Sequence, residues 1–150
     1  IGALSTSTVF AAGATKHTAP VVLKGSSTEV GEATMVINNG KITVQIRTTL
    51  LTPGHVYSVW GEFSGQDAFN LTGGMSSGNG TGNFTGHVNS DLDPNGFKVT
   101  LKDHGEPEPG KVPGQKTTKN VNCPPPSCPS VQTAVFDLSY RIINLSRHLK

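Results

Sequence analysis

The feature that most constrains the fold of this chain is an alternation of apolar and polar residues from position 41 to position 50. Successive side chains of an extended strand point to opposite sides, so Ile42, Val44 and Ile46 fall on one face while Lys41 and Arg47 fall on the other. A helix would require a period of about 3.6 residues, which this segment lacks. The pattern therefore predicts a β-strand with one buried face.

Turn signals and further alternating segments predict more strands. Asn38-Asn39-Gly40 precedes the strand at residues 41–50. Asn-Gly tolerates the positive φ angles of a tight hairpin loop, so residues 32–48 are predicted to form a β-hairpin. Residues 83–88 and 97–103 are predicted to form a second hairpin. Further strands are predicted at residues 3–12, 21–23, 71–75 and 131–138 and within residues 53–63. About eight or nine short strands favour an all-β fold, an antiparallel β-sandwich.

The length and composition fit a single β-sandwich domain of 150 residues. Gly and Pro supply 18 and 10 of them and only 15% are charged, which is typical of short strands joined by tight turns. We predict an N-terminal arm or strand at residues 1–20 that is exchanged between subunits, a core at residues 21–138 and a C-terminal tail strand at residues 139–150. Residues 105–129 are rich in proline, which gives a ladder no N–H donor, so a long loop is predicted there.

Both cysteines, Cys123 and Cys128, lie in the sequence Cys-Pro-Pro-Pro-Ser-Cys within that loop. Two cysteines in one stiff segment, with no further soft ligand beside them, predict a local disulfide rather than a zinc site. Such a bond implies an oxidising compartment. Because the chain also starts at Ile1 rather than Met, we expect a mature secreted protein that acts outside the cell or at the cell surface.

Charge and hydropathy argue against two classes of partner. The formal net charge is +2 at pH 7, and the Lys and Arg residues are scattered along the chain. A nucleic-acid-binding surface normally concentrates basic residues, so no nucleic acid partner is predicted. The sequence contains no apolar run of about 18 residues, so no membrane insertion is predicted.

Three histidines, His55, His87 and His104, lie near the ends of predicted strands, which can converge in a sandwich and hold copper or zinc. A strong metal signature would place two ligands at a fixed local spacing, such as His-x-His on one strand face, and the sequence has none. Structural or surface roles are the favoured interpretation, and no cofactor is predicted.

The segment Asp91-Leu-Asp93-Pro-Asn95-Gly matches the opening of a calcium-binding loop. Calcium usually also takes a bidentate carboxylate at loop position twelve, which here is Lys102. The same residues suit a type I turn followed by a glycine in a bulge. A turn is the favoured interpretation, with calcium binding as the alternative.

The sequence offers little for catalysis. It has no Gly-x-Ser-x-Gly motif, both cysteines are predicted to be paired, and no second carboxylate pair accompanies Glu106 and Glu108. We therefore predict that the chain is not an enzyme. Four Asn-x-Ser/Thr sequons are candidate glycosylation sites if the source adds N-linked glycans: Asn70, Asn79, Asn83 and Asn144.

Four segments resemble an uncharacterised family of secreted β-sandwich domains. They are Leu-Thr-Pro-Gly-His-Val-Tyr-Ser-Val-Trp at residues 51–60 followed by Phe63, Gly-Asn-Gly-Thr-Gly-Asn-Phe at 78–84, Asp-His-Gly at 103–105 and Cys-Pro-Ser-Val-Gln-Thr-Ala-Val-Phe at 128–136. The resemblance covers about residues 28–138 and extends more distantly to chordin-type domains. It implies a β-sandwich but no activity that can be assigned to particular residues. The chain departs from the family by a shorter middle loop and by its tail.

The scarcity of catalytic groups and the apolar N-terminal arm favour a structural role, as a subunit of an extracellular filament, surface layer or matrix. The arm would complete a neighbouring subunit's sheet by β-strand addition, through Leu4, Thr6, Thr8, Val9 and Phe10. Since a head-to-tail contact does not close on itself, it would produce a homopolymer. Two alternatives stay open: a monomeric secreted accessory domain that binds copper, zinc or calcium, and a carbohydrate- or surface-binding module.

Overall fold

The computed structural model describes residues 7–9, 14–121 and 128–138. Every regular element in these ranges is a β-strand, which confirms the all-β prediction. The strands are β1 (Ser7–Val9), β2 (Ala14–Leu23), β3 (Glu29–Asn38), β4 (Lys41–Thr48), β5 (Val56–Glu62), β6 (Phe69–Met75), β7 (Gly82–Asn89), β8 (Lys98–Asp103) and β9 (Ser130–Val135). Over these same ranges, no helix has the length and apolar character needed to cross a membrane.

β3 and β4 form the predicted hairpin. Asn38 pairs with Lys41, and the two residues between them have positive φ angles, 50° at Asn39 and 79° at Gly40. Asn and Gly adopt this region at low cost, which is why the dipeptide predicted the turn. Burial alternates along β4 from residue to residue, as its sequence predicted.

All nine strands belong to one antiparallel sheet, in the order β6-β5-β8-β9-β2-β3-β4-β7 with β1 on the edge of β2. The structure therefore shows one sheet that curls into a nearly closed barrel, where a sandwich of two sheets was predicted. Alternation gives each strand an inner and an outer face. Because sandwiches and barrels both satisfy that pattern, the sequence could not distinguish between them.

The second predicted hairpin is wrong. β7 pairs with β4, whereas β8 pairs with β5 and β9. A turn lies between β7 and β8, where Phe97 N donates to Pro94 O at 3.0 Å and Gly96 has a φ of 80°. It closes one residue later than the predicted type I turn, because Gly96 N donates to Phe136 O at 2.7 Å. It connects two strands that lie apart in the sheet, and local turn chemistry does not specify which strands become neighbours.

β2 begins earlier than the sequence predicted. Residues 14–20, which were assigned to the arm, form most of β2 and pair with β3 from Ala14 opposite Asn38 to Pro20 opposite Glu32. The polar run at residues 15–18 resembled a break because it shows no apolar alternation. The ladder with β3 nevertheless keeps this segment extended. The predicted tail strand at residues 139–150 lies outside the described residues.

The barrel closes where β6 meets β7. Within the described chain no ladder joins these two strands, and they approach each other through packing. At Gly86 on β7, a Cβ atom would lie 2.7 Å from the carbonyl oxygen of Leu71 on β6. Only glycine allows two backbones to come so close. Inside the barrel, aromatic side chains pack closely, and the ring centroids of Phe63 and Phe97 are 4.9 Å apart.

The proline-rich loop forms no strand between residues 105 and 121, as predicted. The carboxylate of Glu108 accepts hydrogen bonds from Thr117 Oγ1 at 2.5 Å and from Thr118 N at 2.9 Å. The hydroxyl of Thr117 and the amide of Thr118 together lower the pKa of Glu108 to about 2. Lys119 Nζ donates to two loop carbonyl oxygens. These contacts fold the loop back on itself.

Candidate functional site

The β5–β8 ladder carries polar side chains on both sides of the sheet. Tyr57 lies opposite Asp103, and Ser58 lies opposite Lys102. Neighbouring residues of a strand point to opposite faces, so the first pair faces the barrel interior and the second pair faces outward. We call His55, Tyr57 and Asp103 the inner network, and Ser58, Trp60, Lys102, His104 and Cys128 the outer network.

Asp103 is the centre of the inner network. Its carboxylate contacts His55 Nδ1 at 3.0 and 3.2 Å, and it accepts hydrogen bonds from Tyr57 OH at 3.3 Å and from Gly105 N at 2.8 Å. Tyr57 OH in turn accepts a hydrogen bond from Thr52 N at 2.8 Å. Burial raises the pKa of Tyr57, so the phenol stays neutral and donates. The network joins the end of β8 to the turn before β5.

The outer network is a chain of side-chain contacts on one side of the β5–β8 ladder. Trp60 Nε1 donates to Ser58 Oγ at 2.9 Å, and Ser58 Oγ shares a further hydrogen bond with His104 Nε2, which is 2.6 Å away. The other ring nitrogen, His104 Nδ1, faces Cys128 Sγ at 3.3 Å. Lys102 Nζ lies 4.3 Å from the Trp60 ring centroid, a cation–π distance.

The Ser58–His104 pair resembles half of a nucleophilic site, but its surroundings do not suit that chemistry. Ser58 is 0% exposed, so no substrate reaches its hydroxyl. A catalytic histidine is normally oriented by a carboxylate, whereas His104 Nδ1 faces sulfur and Asp103 lies on the inner side of the sheet. Burial, followed by the charge of Lys119, lowers the pKa of His104 and keeps the ring neutral. The outer network is suited to holding β5 and the end of β8 in place.

The structure does not bring the three candidate metal histidines together. His55 binds Asp103 in the inner network, and His104 belongs to the outer network. His87 is an exposed residue of β7, opposite Thr43. Within the described ranges, no group of three or more His, Cys, Asp or Glu side chains is placed to hold a metal ion.

The candidate calcium residues form a turn in which two of them bind the chain itself. Asp93 Oδ1 accepts a hydrogen bond from Asn95 N at 3.0 Å. Asn95 Oδ1 accepts one from Leu138 N at 2.7 Å, which attaches the turn to the segment after β9. Asp91 is exposed. Calcium needs about six to eight oxygen ligands, and this geometry favours the turn interpretation.

The predicted disulfide lies partly outside the described residues. Cys128 is described, but Cys123 is not, so the pairing stays a prediction. Cys128 Sγ belongs to the outer network through His104. Any bond that Cys128 makes is therefore coupled to the packing of the β5–β8 ladder.

The predicted assembly arm is described only at Ser7–Val9. These residues form β1 and pair with the same chain's β2, Ser7 opposite His17, Thr8 opposite Lys16 and Val9 opposite Thr15. Leu4, Thr6 and Phe10 lie outside the described residues. The described part of the arm therefore pairs with the edge of a strand in its own sheet, and that edge identifies where an arm can bind.

Three of the four sequons lie in the described chain. Asn70 is on β6, Asn79 is in the turn between β6 and β7, and Asn83 is on β7. Asn144 lies outside the described residues.

Sequence reasoning missed both networks. His55, Asp103 and His104 were noted as separate residues, but Tyr57 and Ser58 were not linked to them. The register of β5 against β8 creates these contacts across more than 40 positions of sequence, for example Tyr57 OH to Asp103 with a separation of 46. The one available signal was Ser58, a polar residue within the apolar run of β5.

Comparisons of the chain with protein-family models, with curated proteins and with solved structures found no match. The resemblance to secreted β-sandwich domains therefore stays a prediction. The function has to be argued from the geometry of the described residues.

Proposed function

We propose that this protein is a non-catalytic extracellular structural subunit that polymerises by exchanging its N-terminal arm between neighbouring chains. The supporting observation is the edge of β2, where three residues of β1 form the contact. In the polymer, the β1 segment of one chain takes the same place on the β2 edge of the next chain. Each subunit then both donates an arm and accepts one.

The two edges of β2 differ in how completely they are paired. One edge pairs with β3 along nearly the whole strand, from Ala14 to Val22. The other edge is shared by β1, opposite residues 15–17, and β9, opposite Val22 and Leu23. Between these two partners, residues 18–21 have no second ladder partner in the described part of the chain. This edge supports the proposal because unpaired backbone donors and acceptors are a template for another strand.

Exchange needs no new kind of contact. An arm from a neighbouring chain forms the same backbone hydrogen bonds to β2 as the chain's own β1, so the ladder itself favours neither arrangement. Only residues 10–13 separate β1 from β2, and a short connection of this kind favours swapping of the segment it carries. A swap that passes from each chain to the next is head-to-tail and stays open, which yields a filament rather than a closed dimer.

An extracellular location is supported by the predicted disulfide. A Cys123–Cys128 bond would lock a loop next to the outer network and requires an oxidising compartment. Intact mass of the native protein, measured with and without reductant after thiol alkylation, tests this part separately. We expect alkylation of both cysteines only after reduction.

Cysteines placed across the β1–β2 ladder test the exchange directly. Thr8 lies opposite Lys16, and directly opposed residues of an antiparallel ladder are close enough for a disulfide. The double variant Thr8→Cys/Lys16→Cys, oxidised as a monomer, should lock the arm to its own chain and block polymerisation. Reduction should restore assembly, measured by light scattering after size exclusion and by negative-stain imaging.

The matched control is Lys41→Cys/Asn89→Cys, which crosslinks exposed residues of β4 and β7 away from the arm. It should polymerise like the wild type in both redox states. Mixing the single variants Thr8→Cys and Lys16→Cys should give disulfide-linked heterodimers on a non-reducing gel. Polymers formed by the locked double variant, or by a chain lacking residues 1–12, would show that arm exchange does not hold the assembly together.

A further inference from the structure

The sequons of the described chain differ in how they present the asparagine side chain. Asn79 lies in the turn between β6 and β7, and its side chain is exposed. We propose that Asn79 is the principal N-glycosylated residue of this protein and that its turn presents the side-chain amide to an oligosaccharyltransferase. The inference rests on the export of the chain in the proposed function and is independent of arm exchange.

The side-chain oxygen of Asn79 is fully engaged within its own turn. Asn79 Oδ1 accepts hydrogen bonds from Thr81 Oγ1 at 3.0 Å and from Thr81 N at 3.3 Å, and Ser77 Oγ also donates to it. These bonds fix the orientation of the carboxamide, and the Asn79 side chain is exposed. No hydrogen bond among the described residues engages Asn79 Nδ2. The sequon therefore presents an exposed carboxamide in a fixed orientation.

The arrangement also suits the chemistry of the transfer. Asn79 Nδ2 would attack C1 of an oligosaccharide carried on a lipid pyrophosphate. The C1–N bond forms as the bond from C1 to the pyrophosphate oxygen breaks, and a base of the transferase takes one proton from Nδ2. The lipid pyrophosphate is the leaving group, so no oxidant or reductant is needed. Donors on Oδ1 withdraw electron density from the carboxamide and make the Nδ2 protons easier to remove.

The contacts that shape this turn are local in sequence. Ser77 and Thr81 each lie two residues from Asn79, and the backbone bond from Ser77 N to Thr81 O, at 2.8 Å, closes the same turn. A turn held by neighbouring residues can form before the barrel is complete. It is therefore available to an enzyme that acts on a chain still entering the secretory compartment.

Asn70 presents the opposite situation. Its Nδ2 atom is buried and has no hydrogen-bond partner among the described residues. Asn70 lies opposite Trp60 in the β5–β6 ladder, so the folded sheet excludes a glycan from this nitrogen. A chain that carried a glycan here could not pack β6 against β5 in the same way. We expect the folded protein to be unmodified at Asn70.

Asn83 is exposed but lies within a strand rather than a turn. It sits opposite Arg47 in the β4–β7 ladder, and its Oδ1 accepts a hydrogen bond from Gln45 Nε2 at 3.1 Å. In an extended strand the side chain does not fold back onto Thr85, and no such bond is present in the described structure. Asn83 therefore lacks the local arrangement found at Asn79.

Expression behind a secretion signal in a eukaryotic cell tests the proposal. The chain carries Asn144→Gln, so that only the described sequons are compared. Removal of N-glycans in heavy-oxygen water, followed by fragment-ion mass spectrometry of intracellular and secreted protein, gives the occupancy of each asparagine. We expect Asn79 to be occupied at least several-fold more than Asn83, with Asn70 unmodified in the secreted protein.

Variants distinguish the effect of the turn contacts on glycosylation from that of the Asn-x-Thr motif alone. Ser77→Ala keeps the sequon but removes a donor to Asn79 Oδ1, so occupancy at Asn79 should fall several-fold while that at Asn83 stays unchanged. Thr81→Ser should retain the glycan, and Thr81→Ala should lose it. An unmodified Asn79, equal or higher occupancy at Asn70 or Asn83, or an unchanged Ser77→Ala would overturn the proposal. None of these results alters the outcome of the crosslinking test of arm exchange.

Discussion

Among the described residues, neither the β6–β7 seam nor the β2 edge that faces β1 and β9 has a continuous ladder, but the two are covered in different ways. At the seam, glycine brings the two backbones into contact at Gly86, and the Ser76 carbonyl accepts a bond from Gly114 N of the proline-rich loop at 3.0 Å. At the β2 edge, three residues of β1 provide cover through backbone pairing. Packing at the seam depends on the fit between two strands of one chain. The β2 edge, by contrast, can be covered by β1 of its own chain or of another copy.

The comparison predicts that the seam tolerates substitution far less than the β2 edge. Gly86→Val should produce the largest loss, because its side chain must enter space held by the backbone of Leu71 and the Cβ atom of Thr72. We expect the free energy of unfolding in urea to fall by about 3 kcal/mol or more. The control is Gly78→Ala, since a Cβ at Gly78 meets nothing within 4 Å. A loss of unfolding free energy as small as that of Gly78→Ala would mean that β6 and β7 are not closely packed at Gly86.

The inner network should come next, because it ties β8 to the turn before β5 through one side chain. Asp103→Ala removes the carboxylate that binds His55, Tyr57 and Gly105. Leaving these donors without their partner should cost about 2–3 kcal/mol of unfolding free energy. Asp93→Ala is the control, since it removes one local bond in an exposed turn. A similar small effect of both variants would show that the network contributes little to stability.

The arm should contribute less to the stability of the monomer than the seam or the inner network. Deletion of residues 1–9 removes three ladder pairs, and the gain in chain entropy offsets much of their hydrogen bonding. Dilute monomer should therefore lose no more than about 1 kcal/mol of unfolding free energy, while the proposed polymerisation should be abolished. A loss as large as that of Asp103→Ala would place β1 in the structural core and weaken the contrast between the two regions.

The smallest expected effect is local and depends on pH. The folded loop holds the pKa of Glu108 at about 2, below its ordinary value of 4.5, so the charged form is bound more favourably when the loop is folded. This contribution is complete above pH 4.5 and is lost as the pH falls toward 2. Hydrogen exchange should show the protection of the Thr118 amide falling over that interval. Glu108→Gln should remove the pH dependence, and Glu106→Gln should retain it.

The sequence alone determined most of the strands and one hairpin. Alternation in β4 and the Asn39-Gly40 turn act between residues close in the chain, so their physical signals are contained in short segments. A turn between β7 and β8 was also predicted, and one lies at residues 94–97, although the strands on either side of it do not pair with each other. Proline correctly marked residues 105–121 as a loop.

Tertiary structure decided which strands became neighbours, and with that it decided the site. Pairing β8 with β5 rather than β7 placed Asp103 beside Tyr57 and His104 beside Ser58. Strand pairing also placed all the strands in one curled sheet. Pairing with β3 made residues 14–20 part of β2 rather than of the predicted arm. The physical reason is that alternation specifies which face of a strand is buried, whereas the partner depends on the packing of all the strands at once.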